Sequence, residues 1–466
     1  MTVVKLASTG GLWVHAPVAP TPECLRLLRE LGAPVEHVVL PTFAYEHKVF
    51  VGPFARRFPR AQVWVAPAQW SFPVNLPPQF FGIFPAGELF DFSQARGRAR
   101  ARAGGGGGGG LREEEDDAGA EDAEAAEGAG DRRRRGRGQQ QQQQQARARR
   151  RAEGAPPPPP PLPALPPWAD EIDCKLLRPP QLGRSRDIIF SEAALFHRAS
   201  RTLMVTDAVV YVPRDPPAVI PRWALLALGA RDGFLATYLT GGRTKEQVDA
   251  EARRGPQGPD TPEARRLGWA RMSLLVLYFR PHDLLTPGRS FAAVSERLIV
   301  GPVVRELVYS KIPRAVARWV DDITSEWNFE RVVPCHFAGP VKAGPAEFRE
   351  AFDFCYEAAA EREAAAGRGG VAAAAGAEGG AGGLFGELFG RGALEGGPGA
   401  ALAALIAAAT GRGGRRRAPA PARQLPAEDL GALRALDELL VRVGAVFPDA
   451  EERAEAEAAA ASTKGQ

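Results

Sequence analysis

The chain has 466 residues, of which 45% are hydrophobic and 24% are charged, a composition typical of a globular protein. The formal net charge of +4 is small for this length and argues against nucleic acid as a partner. The longest apolar run, Met272–Phe279, is too short to cross a membrane, so we expect no membrane span and predict a buried strand there. The four cysteines lack CxxC spacing, which predicts free thiols in a reducing compartment.

Two stretches of biased composition divide the chain. Residues 94–163 hold runs of glycine, arginine, glutamine and proline, and residues 357–423 are mostly alanine, glycine, glutamate and arginine. Neither stretch has enough periodic apolar residues to offset the entropy lost on ordering, so both are predicted to be disordered insertions. The rest predicts the two halves of one α/β domain over 1–93 and 164–356, a C-terminal helix over 424–450 and a disordered tail over 451–466.

Short apolar runs separated by turn and cap signals fill the first ninety residues. Thr21 and Pro22 are typical of a helix N-cap and first helical residue, and Gly32 is typical of a helix end. The predicted elements are strands over Val3–Ala7 and Leu12–His15, a helix from Pro22, a strand over His37–Leu40, a loop over Pro41–Lys48, a helix containing Phe54 and Phe58, and a strand over Gln62–Ala66. Loops at the carboxyl ends of strands carry the chemistry of many α/β proteins, which draws attention to Pro41–Lys48.

The second half predicts a hairpin, a helical segment and a last strand. The predicted elements are strands over Ile188–Leu195 and Thr202–Thr206 with a turn over Arg198–Arg201, helices from Val303 to Trp327 divided at Pro313, a strand over Arg331–Pro334, a helix containing Phe348 and Phe352, and an amphipathic helix over Ala427–Val446. Two of these strands end next to residues that can bind metal, which are Asp207 and His336.

Two carboxylates and two histidines therefore fall at predicted strand ends. Glu46 and His47 follow the third strand, Asp207 ends the second strand of the hairpin, and His336 follows the last strand. Carboxylate and imidazole ligands together suit Zn²⁺, Fe²⁺ or Mn²⁺, so these residues are candidate ligands of one metal ion. The remaining histidines are expected to be structural or to lack a partner: His15, His37, His197 and His282.

Aromatic residues follow the predicted metal loop. They are Tyr45, Trp70, Phe72, Phe80 and Phe81. Aromatic side chains bury large apolar areas, so this pattern predicts core packing in preference to a platform for a ligand.

Several stretches of the chain resemble known families. The order β-β-α-β, metal loop, α-β, then a strand ending in Asp and a strand followed by His, resembles the metallo-β-lactamase superfamily. The stretches LWVHAPVAPT, LPTFAYEHKVFVGPF, AQVWVAPAQWSFPVNLP, FHRASRTLMVTDAVVYVP and VVPCHFAGPV are similar to the plant, algal and cyanobacterial proteins grouped as domain of unknown function 4336. The resemblance covers residues 1–93 and 165–356 and implies an αββα sandwich of two mixed sheets flanked by helices. It also implies a plastid or cyanobacterial setting, although no transit peptide is recognisable in the sequence.

The chain departs from the superfamily at its metal ligands. The superfamily's metal loop has the pattern His-x-His-x-Asp-His, and the matching residues here are Thr42, Ala44, Glu46 and His47. A further histidine of that family would fall near Arg186, where none is present. The resemblance thus implies that the first metal site is lost, and that the ligands of the second site remain: Glu46, His47, Asp207 and His336. A single metal ion would then replace a binuclear centre.

Three functions are compatible with this sequence. The first is a metal-dependent hydrolase of an ester, thioester or phosphoester, in which Lys48 or Tyr45 stabilises developing negative charge and Glu46 serves as a ligand, a hydrogen-bond partner of His47 or a base. The second is a catalytically inactive binding or scaffold protein, with a vestigial site in which the histidines pair with the carboxylates. The third is a nucleic-acid-associated nuclease or accessory factor, which predicts salt-sensitive binding through residues 94–163. The substrate class rests on the resemblance alone.

Overall fold

A computed structural model describes much of the chain. The described residues are 1–69, 75–93, 95–96, 164–179, 181–183, 190–229, 260–278, 281–282, 284, 286–368 and 425–464. Most of both predicted insertions, together with Trp70, Phe72 and Arg186, lies outside them. Met1–Phe92 and the described residues from Pro166 onward form one compact unit.

The first ninety residues fold as a mixed sheet with its helices. The elements are β1 (Thr2–Lys5), β2 (Leu12–His15), α1 (Pro22–Glu30), β3 (Val35–Leu40), α2 (Tyr45–Ala55), β4 (Gln62–Val65), a 3₁₀ turn (Pro78–Phe81) and β5 (Pro85–Glu88). The strands lie in the order β1-β2-β3-β4-β5, with β1 antiparallel to β2 and the other pairs parallel. As predicted, Thr21 caps α1 by accepting a hydrogen bond from the backbone N–H of Cys24. The parallel pairing places the carboxyl ends of β2, β3 and β4 at one edge.

A second mixed sheet forms from later parts of the chain. The elements are β6 (Ile172–Leu177), β7 (Glu192–His197), β8 (Thr202–Met204), β9 (Val210–Tyr211), α3 (Arg222–Gly229), α4 (Pro262–Tyr278), α5 (Gly288–Val294), β10 (Leu298–Ile299), α6 (Pro302–Leu307), α7 (Pro313–Glu326), β11 (Arg331–Val333), β12 (Val341–Lys342), α8 (Pro345–Glu350), α9 (Asp353–Arg368), α10 (Gly431–Arg442) and α11 (Ala450–Lys464). The order is β12-β11-β8-β7-β6, in which β8 and β11 are parallel neighbours and the other pairs are antiparallel. Strands β9 and β10 form a separate two-stranded ribbon.

The two five-stranded sheets face each other across a shared core. Trp13 and Val39 of the first sheet belong to one buried cluster with Leu195 and Met204 of the second. The opposite face of the first sheet packs in a cluster with α1 and α2, and that of the second sheet packs with α7 and α8. Alternating inward and outward side chains along each strand give this helix-sheet-sheet-helix layering.

The structure corrects several predicted elements. Tyr45–Lys48 form the first turn of helix α2 instead of the end of a loop, and Phe58 lies beyond that helix. The apolar run from Met272 belongs to helix α4, not to a strand, because a short apolar run does not distinguish a buried strand from a buried helix. Among the described residues, no helix is both long enough and apolar enough to cross a lipid bilayer.

The C-terminal tail is also helical where disorder was predicted. Helix α11 covers most of 451–466, and α9 runs past residue 357 to Arg368. Glu451 explains the docking of α11, because it is only 3% exposed and accepts hydrogen bonds from the backbone N–H groups of Arg314 and Ala315, at 3.1 and 2.5 Å. Those N–H groups lie in the first turn of α7, whose N-cap Ile312 offers no side-chain cap.

Replacing Glu451 by alanine is expected to lower the free energy of unfolding by about 2 kcal/mol or more, because two helix N–H groups and a guanidinium lose a buried acceptor. Urea denaturation followed by circular dichroism measures the change. Glu455→Ala is the matched control, since Glu455 pairs with the same Arg314 but its side chain is 59% exposed, and a change within about 0.5 kcal/mol is expected there. Equal losses in the two variants would contradict a capping role for Glu451.

Candidate metal centre

Parallel pairing of β8 and β11 brings Asp207 and His336 together. Met204 pairs with Val333, so Asp207 and His336 each follow their strand by three residues. The pairing continues beyond the strands, because the N–H of Val205 donates to the carbonyl of Val333. Two side chains separated by more than a hundred residues in sequence therefore meet at one sheet edge.

Helix α2 carries Glu46 and His47 to the same place. The segment after β3 crosses to the second sheet, where Thr42 forms an antiparallel bridge with Glu192 and the N–H of Ala193 donates to the carbonyl of Pro41 at 2.8 Å. The helix begins directly after this bridge, so its first turn lies beside the ends of β8 and β11. Ala44 occupies the N-cap position and provides no side-chain cap.

The four predicted ligands form one group in the structure. Glu46, His47, Asp207 and His336 each offer one ligand atom, and these atoms all lie within 4.8 Å of one another. Oδ1 of Asp207 is 2.9 Å from Nε2 of His336 and 3.4 Å from Nε2 of His47. The two imidazole centroids are 5.1 Å apart, with the ring planes tilted by 55°.

This donor set fits a single metal ion. Ligand atoms bound to one zinc ion at about 2.0–2.2 Å lie about 3.3–3.6 Å apart in a tetrahedron, close to the separations of the imidazole nitrogens from Asp207. The same nitrogens hydrogen-bond Asp207 when no ion is present, so binding would replace protons. The cluster could therefore hold one metal ion if the widest pairs of ligand atoms closed by about 1 Å and Asp207 moved a few tenths of an ångström away from His336.

Charge at the centre is concentrated on Asp207. Burial would raise the pKa of Asp207, but hydrogen bonds from His336 and His47 outweigh it and hold that pKa well below its usual range. The hydrogen bond to Asp207 raises the pKa of His336, and the charge of Glu46 contributes in the same direction. Glu46 is exposed, and no hydrogen bond joins it to His47 within the described part of the chain.

A third carboxyl group, that of Glu192, lies behind the centre and was not predicted. Its Oε1 accepts hydrogen bonds from the N–H groups of Thr206 and Asp207, at 3.0 and 3.2 Å, and from the Thr206 hydroxyl. Glu192 is fully buried, and this burial, followed by the charge of Asp207, raises its pKa to about 8. Glu192 thus holds the backbone that carries Asp207.

Tyr45 and Lys48 face an aromatic side chain and are not members of the ligand group. The Tyr45 ring lies 5.9 Å from the ring of Phe81, and Nζ of Lys48 is 5.8 Å from the same ring centroid. Lys48 is fully buried, which lowers its pKa to about 8, whereas Tyr45 is 40% exposed. The structure thus groups both side chains around Phe81, in the same helical turn as Glu46 and His47.

The thiol of Cys335, which precedes His336, lies beside His15. Sγ of Cys335 lies 3.9 Å from Nδ1 of His15, a fully buried histidine at the end of β2. Burial lowers the pKa of His15 to about 3 and raises that of Cys335 to about 12, so both are neutral near pH 7. The structural role predicted for His15 agrees with this burial. His37 is also buried in its strand, and His197 pairs with Ser200 at 2.7 Å.

Left-handed backbone conformations occur around the centre. Ala16, Ala68 and Phe337 have φ angles of 47°, 56° and 63°, and they follow β2, β4 and β11. Each such conformation costs about 1 kcal/mol or more in a non-glycine residue. Phe337 directly follows His336, and its ring contacts that of Trp269 at 6.0 Å. Backbone strain at this sheet edge is typical of a functional site.

The fold and the site define an α/β protein with two facing mixed sheets and a candidate metal-binding group at the strand ends. The family model described as "Domain of unknown function (DUF4336)" matches residues 1–96, 162–288 and 285–354, which is more than half of the chain. The chain therefore belongs to the DUF4336 family. No curated protein and no solved structure gives a significant match.

Proposed function

We propose that this chain has a metallo-β-lactamase-like fold and is a mononuclear metal-dependent hydrolase. The observation that carries the proposal is the convergence of Glu46, His47, Asp207 and His336, from two sheets, to within 4.8 Å of one another. The two facing mixed sheets with outer helices support the fold assignment. The metal would be Zn, or Fe or Mn, since these ions accept both imidazole and carboxylate ligands.

The chain's own residues have defined tasks in this proposal. When bound, a metal ion lowers the pKa of water and polarises a carbonyl or phosphoryl oxygen. Asp207 holds both imidazoles in place until an ion replaces the protons they share, and Glu192 fixes the backbone of Asp207. Glu46, which is exposed, can accept a proton from an attacking water. The N–H groups that begin α2 receive no side-chain cap from Ala44 and are available to stabilise developing negative charge.

The second candidate function is a catalytically inactive binding or scaffold protein. The position of Thr42 favours it, because Thr42 is 1% exposed and bridges to Glu192 where the superfamily would have a metal ligand. A residue used to join two sheets is no longer available to a first metal site. Asp207 already pairs with His47 and His336 without an ion, as a vestigial centre would.

Metal analysis by mass spectrometry tests the proposal. We expect about one equivalent of Zn, Fe or Mn in the purified protein and none in a His47→Ala/His336→Ala double variant, because that change removes half of the ligands. The matched control is His197→Ala/His282→Ala, which removes two histidines that lie outside the group and should leave the metal content unchanged. A parent protein that holds no ion after reconstitution with each of the three metals would rule out the metal-dependent hydrolase.

Turnover then separates the two candidate functions. The loaded parent is assayed with p-nitrophenyl acetate, a thioester analogue and bis(p-nitrophenyl) phosphate, and a hydrolase should lose about 100-fold or more of its kcat/KM in the ligand double variant. Metal without turnover of any of these substrates would favour the binding protein.

A further inference from the structure

A small cavity lies at the edge of the first sheet that is opposite the candidate metal centre. Its volume is about 260 Å³, and its apolar lining includes the buried side chains of Leu28 and Val35 and the half-buried ring of Phe58. Val35 begins β3 and Arg60 shortly precedes β4, so the cavity lies at the amino ends of these parallel strands. Three exposed arginines also line this space, here called the basic cavity: Arg29, Arg57 and Arg60.

The three arginines form no ion pair with any residue that the structure describes. Two glutamates are close to them in sequence, but both are engaged elsewhere. Glu30 pairs with Arg26, and Glu36 accepts a hydrogen bond from the Thr9 hydroxyl. A guanidinium group keeps its charge at any physiological pH, so three such groups at one cavity favour an anionic occupant.

The backbone that carries two of these arginines is held by hydrogen bonds. After helix α2, the N–H of Arg57 donates to the carbonyl of Phe54, and the N–H of Ala61 donates to the carbonyl of Phe58, both at 2.9 Å. The rings of Phe54 and Phe58 are 5.0 Å apart, which packs Phe58 against the buried cluster under α2. A rigid backbone loses little entropy when it binds a ligand.

Charge and size together select the occupant of the basic cavity. A phosphomonoester carries nearly two negative charges at pH 7 and three acceptor oxygens, which suits three guanidinium groups better than a carboxylate with one charge and two oxygens. The apolar lining suits the organic part of the ester, and the volume limits that part to a small group. The rings of Tyr45 and Phe80, which are 40% and 68% exposed where core packing was predicted, carry no charge that would select an occupant.

We propose that the basic cavity binds a small aryl or alkyl phosphomonoester. The site is separate from the candidate metal centre, because the six residues of β3 span about 17 Å between the two edges of the sheet. Neither a metal ion nor hydrolysis is needed for this binding, so the inference goes beyond the proposed function. Anionic lipid headgroups carry the same chemistry, but a concave site of this size admits a small molecule in preference to a membrane surface.

The experiment uses benzylphosphonate, a phosphomonoester analogue whose P–C bond resists hydrolysis. Inorganic phosphate and benzyl alcohol are the probes that each lack one part of it. Calorimetric titration of the full-length protein after metal removal with a chelator measures the affinities. We expect benzylphosphonate to bind about tenfold more tightly than phosphate, because its ring is buried, and benzyl alcohol to show no binding.

The variant Arg57→Gln/Arg60→Gln should weaken benzylphosphonate binding about tenfold or more, because two charged donors are lost. The matched control is Arg318→Gln/Arg331→Gln. It removes the same charge from two exposed arginines that lie outside the cavity and, within the described ranges, form no ion pair. Arg29→Gln repeats the test from helix α1 and should weaken binding about threefold or more.

Each outcome decides the inference. Weaker binding in both cavity variants, with unchanged binding in the control, supports the basic cavity. Equal weakening in the control would mean that net charge alone attracts the ligand, and equal affinity for benzylphosphonate and phosphate would mean that the apolar lining takes no part; either result overturns the inference. The absence of saturable binding also overturns it, and loss of co-sedimentation with phosphatidylserine vesicles in the cavity variants would then assign the arginines to a membrane surface. Since metal is absent throughout, none of these results bears on the proposed hydrolase.

Discussion

Replacing Glu192 by glutamine is expected to stabilise the metal-free protein increasingly as the pH rises from about 5 to 8. Glu192 has a pKa of about 8 in the folded protein, whereas an unfolded glutamate ionises near its ordinary value of 4.5. Between these two values the folded state keeps a proton that the unfolded state has released, so rising pH costs the parent stability. Glutamine does not titrate, and its relative gain should reach up to about 4 kcal/mol near pH 8.

Urea denaturation of both proteins at pH 5 and pH 8, after chelation, measures this difference. Glu192→Ala should behave differently, losing about 2–4 kcal/mol at pH 5 because the N–H groups of Thr206 and Asp207 lose their acceptor. Glu330→Gln serves as the control, since Glu330 is 55% exposed and pairs only with Arg201 among the described residues. A constant difference between parent and Glu192→Gln at the two pH values would contradict a protonated Glu192.

The second large effect is expected from Gly52→Ala. An added Cβ would lie 1.9 Å from the carbonyl oxygen of Phe81, which is backbone and cannot rotate away. Helix α2 and the 3₁₀ turn would have to separate, and we expect the free energy of unfolding to fall by about 3 kcal/mol or more. This loss exceeds the gain of about 1 kcal/mol that alanine brings to a helix interior.

Thermal and urea denaturation measure the effect, with Gly431→Ala as the matched control. Gly431 begins helix α10 and has nothing within 4 Å of an added Cβ, so we expect no loss and a gain of at most about 1 kcal/mol. A neutral Gly52→Ala variant would mean that the turn moves freely against α2 and that the contact between Gly52 and Phe81 does not hold it in place.

Local signals predicted the parts of the fold that local chemistry determines. Thr21 and Pro22 begin α1, Arg198–Arg201 forms the hairpin turn, and Pro313 separates two helices, as their residue types indicate. The start of helix α2 was placed too late, because Ala44 gives no cap signal and Pro53 lies inside the helix. The docking of α11 depends on a contact between Glu451 and α7 that no local pattern contains.

The four candidate ligands were predictable from the sequence, but the buried carboxyl group that holds the backbone of Asp207 was not. Strand ends indicated Glu46, His47, Asp207 and His336, and the structure brings them together, while metal binding stays a prediction. Glu192 was treated as an ordinary strand residue. Its role could have been found from the hairpin, because pairing of Leu195 with Met204 in an antiparallel register places residue 192 opposite residue 207.

The centre draws its ligands from distant parts of the chain. His336 follows Glu46 and His47 in the chain only after 288 further residues. An ion held by all four would fasten the two sheets to each other only after His336 has been synthesised. The free energy of metal binding would then stabilise the folded protein. Expression without the metal would therefore reduce the yield of folded protein as well as its activity.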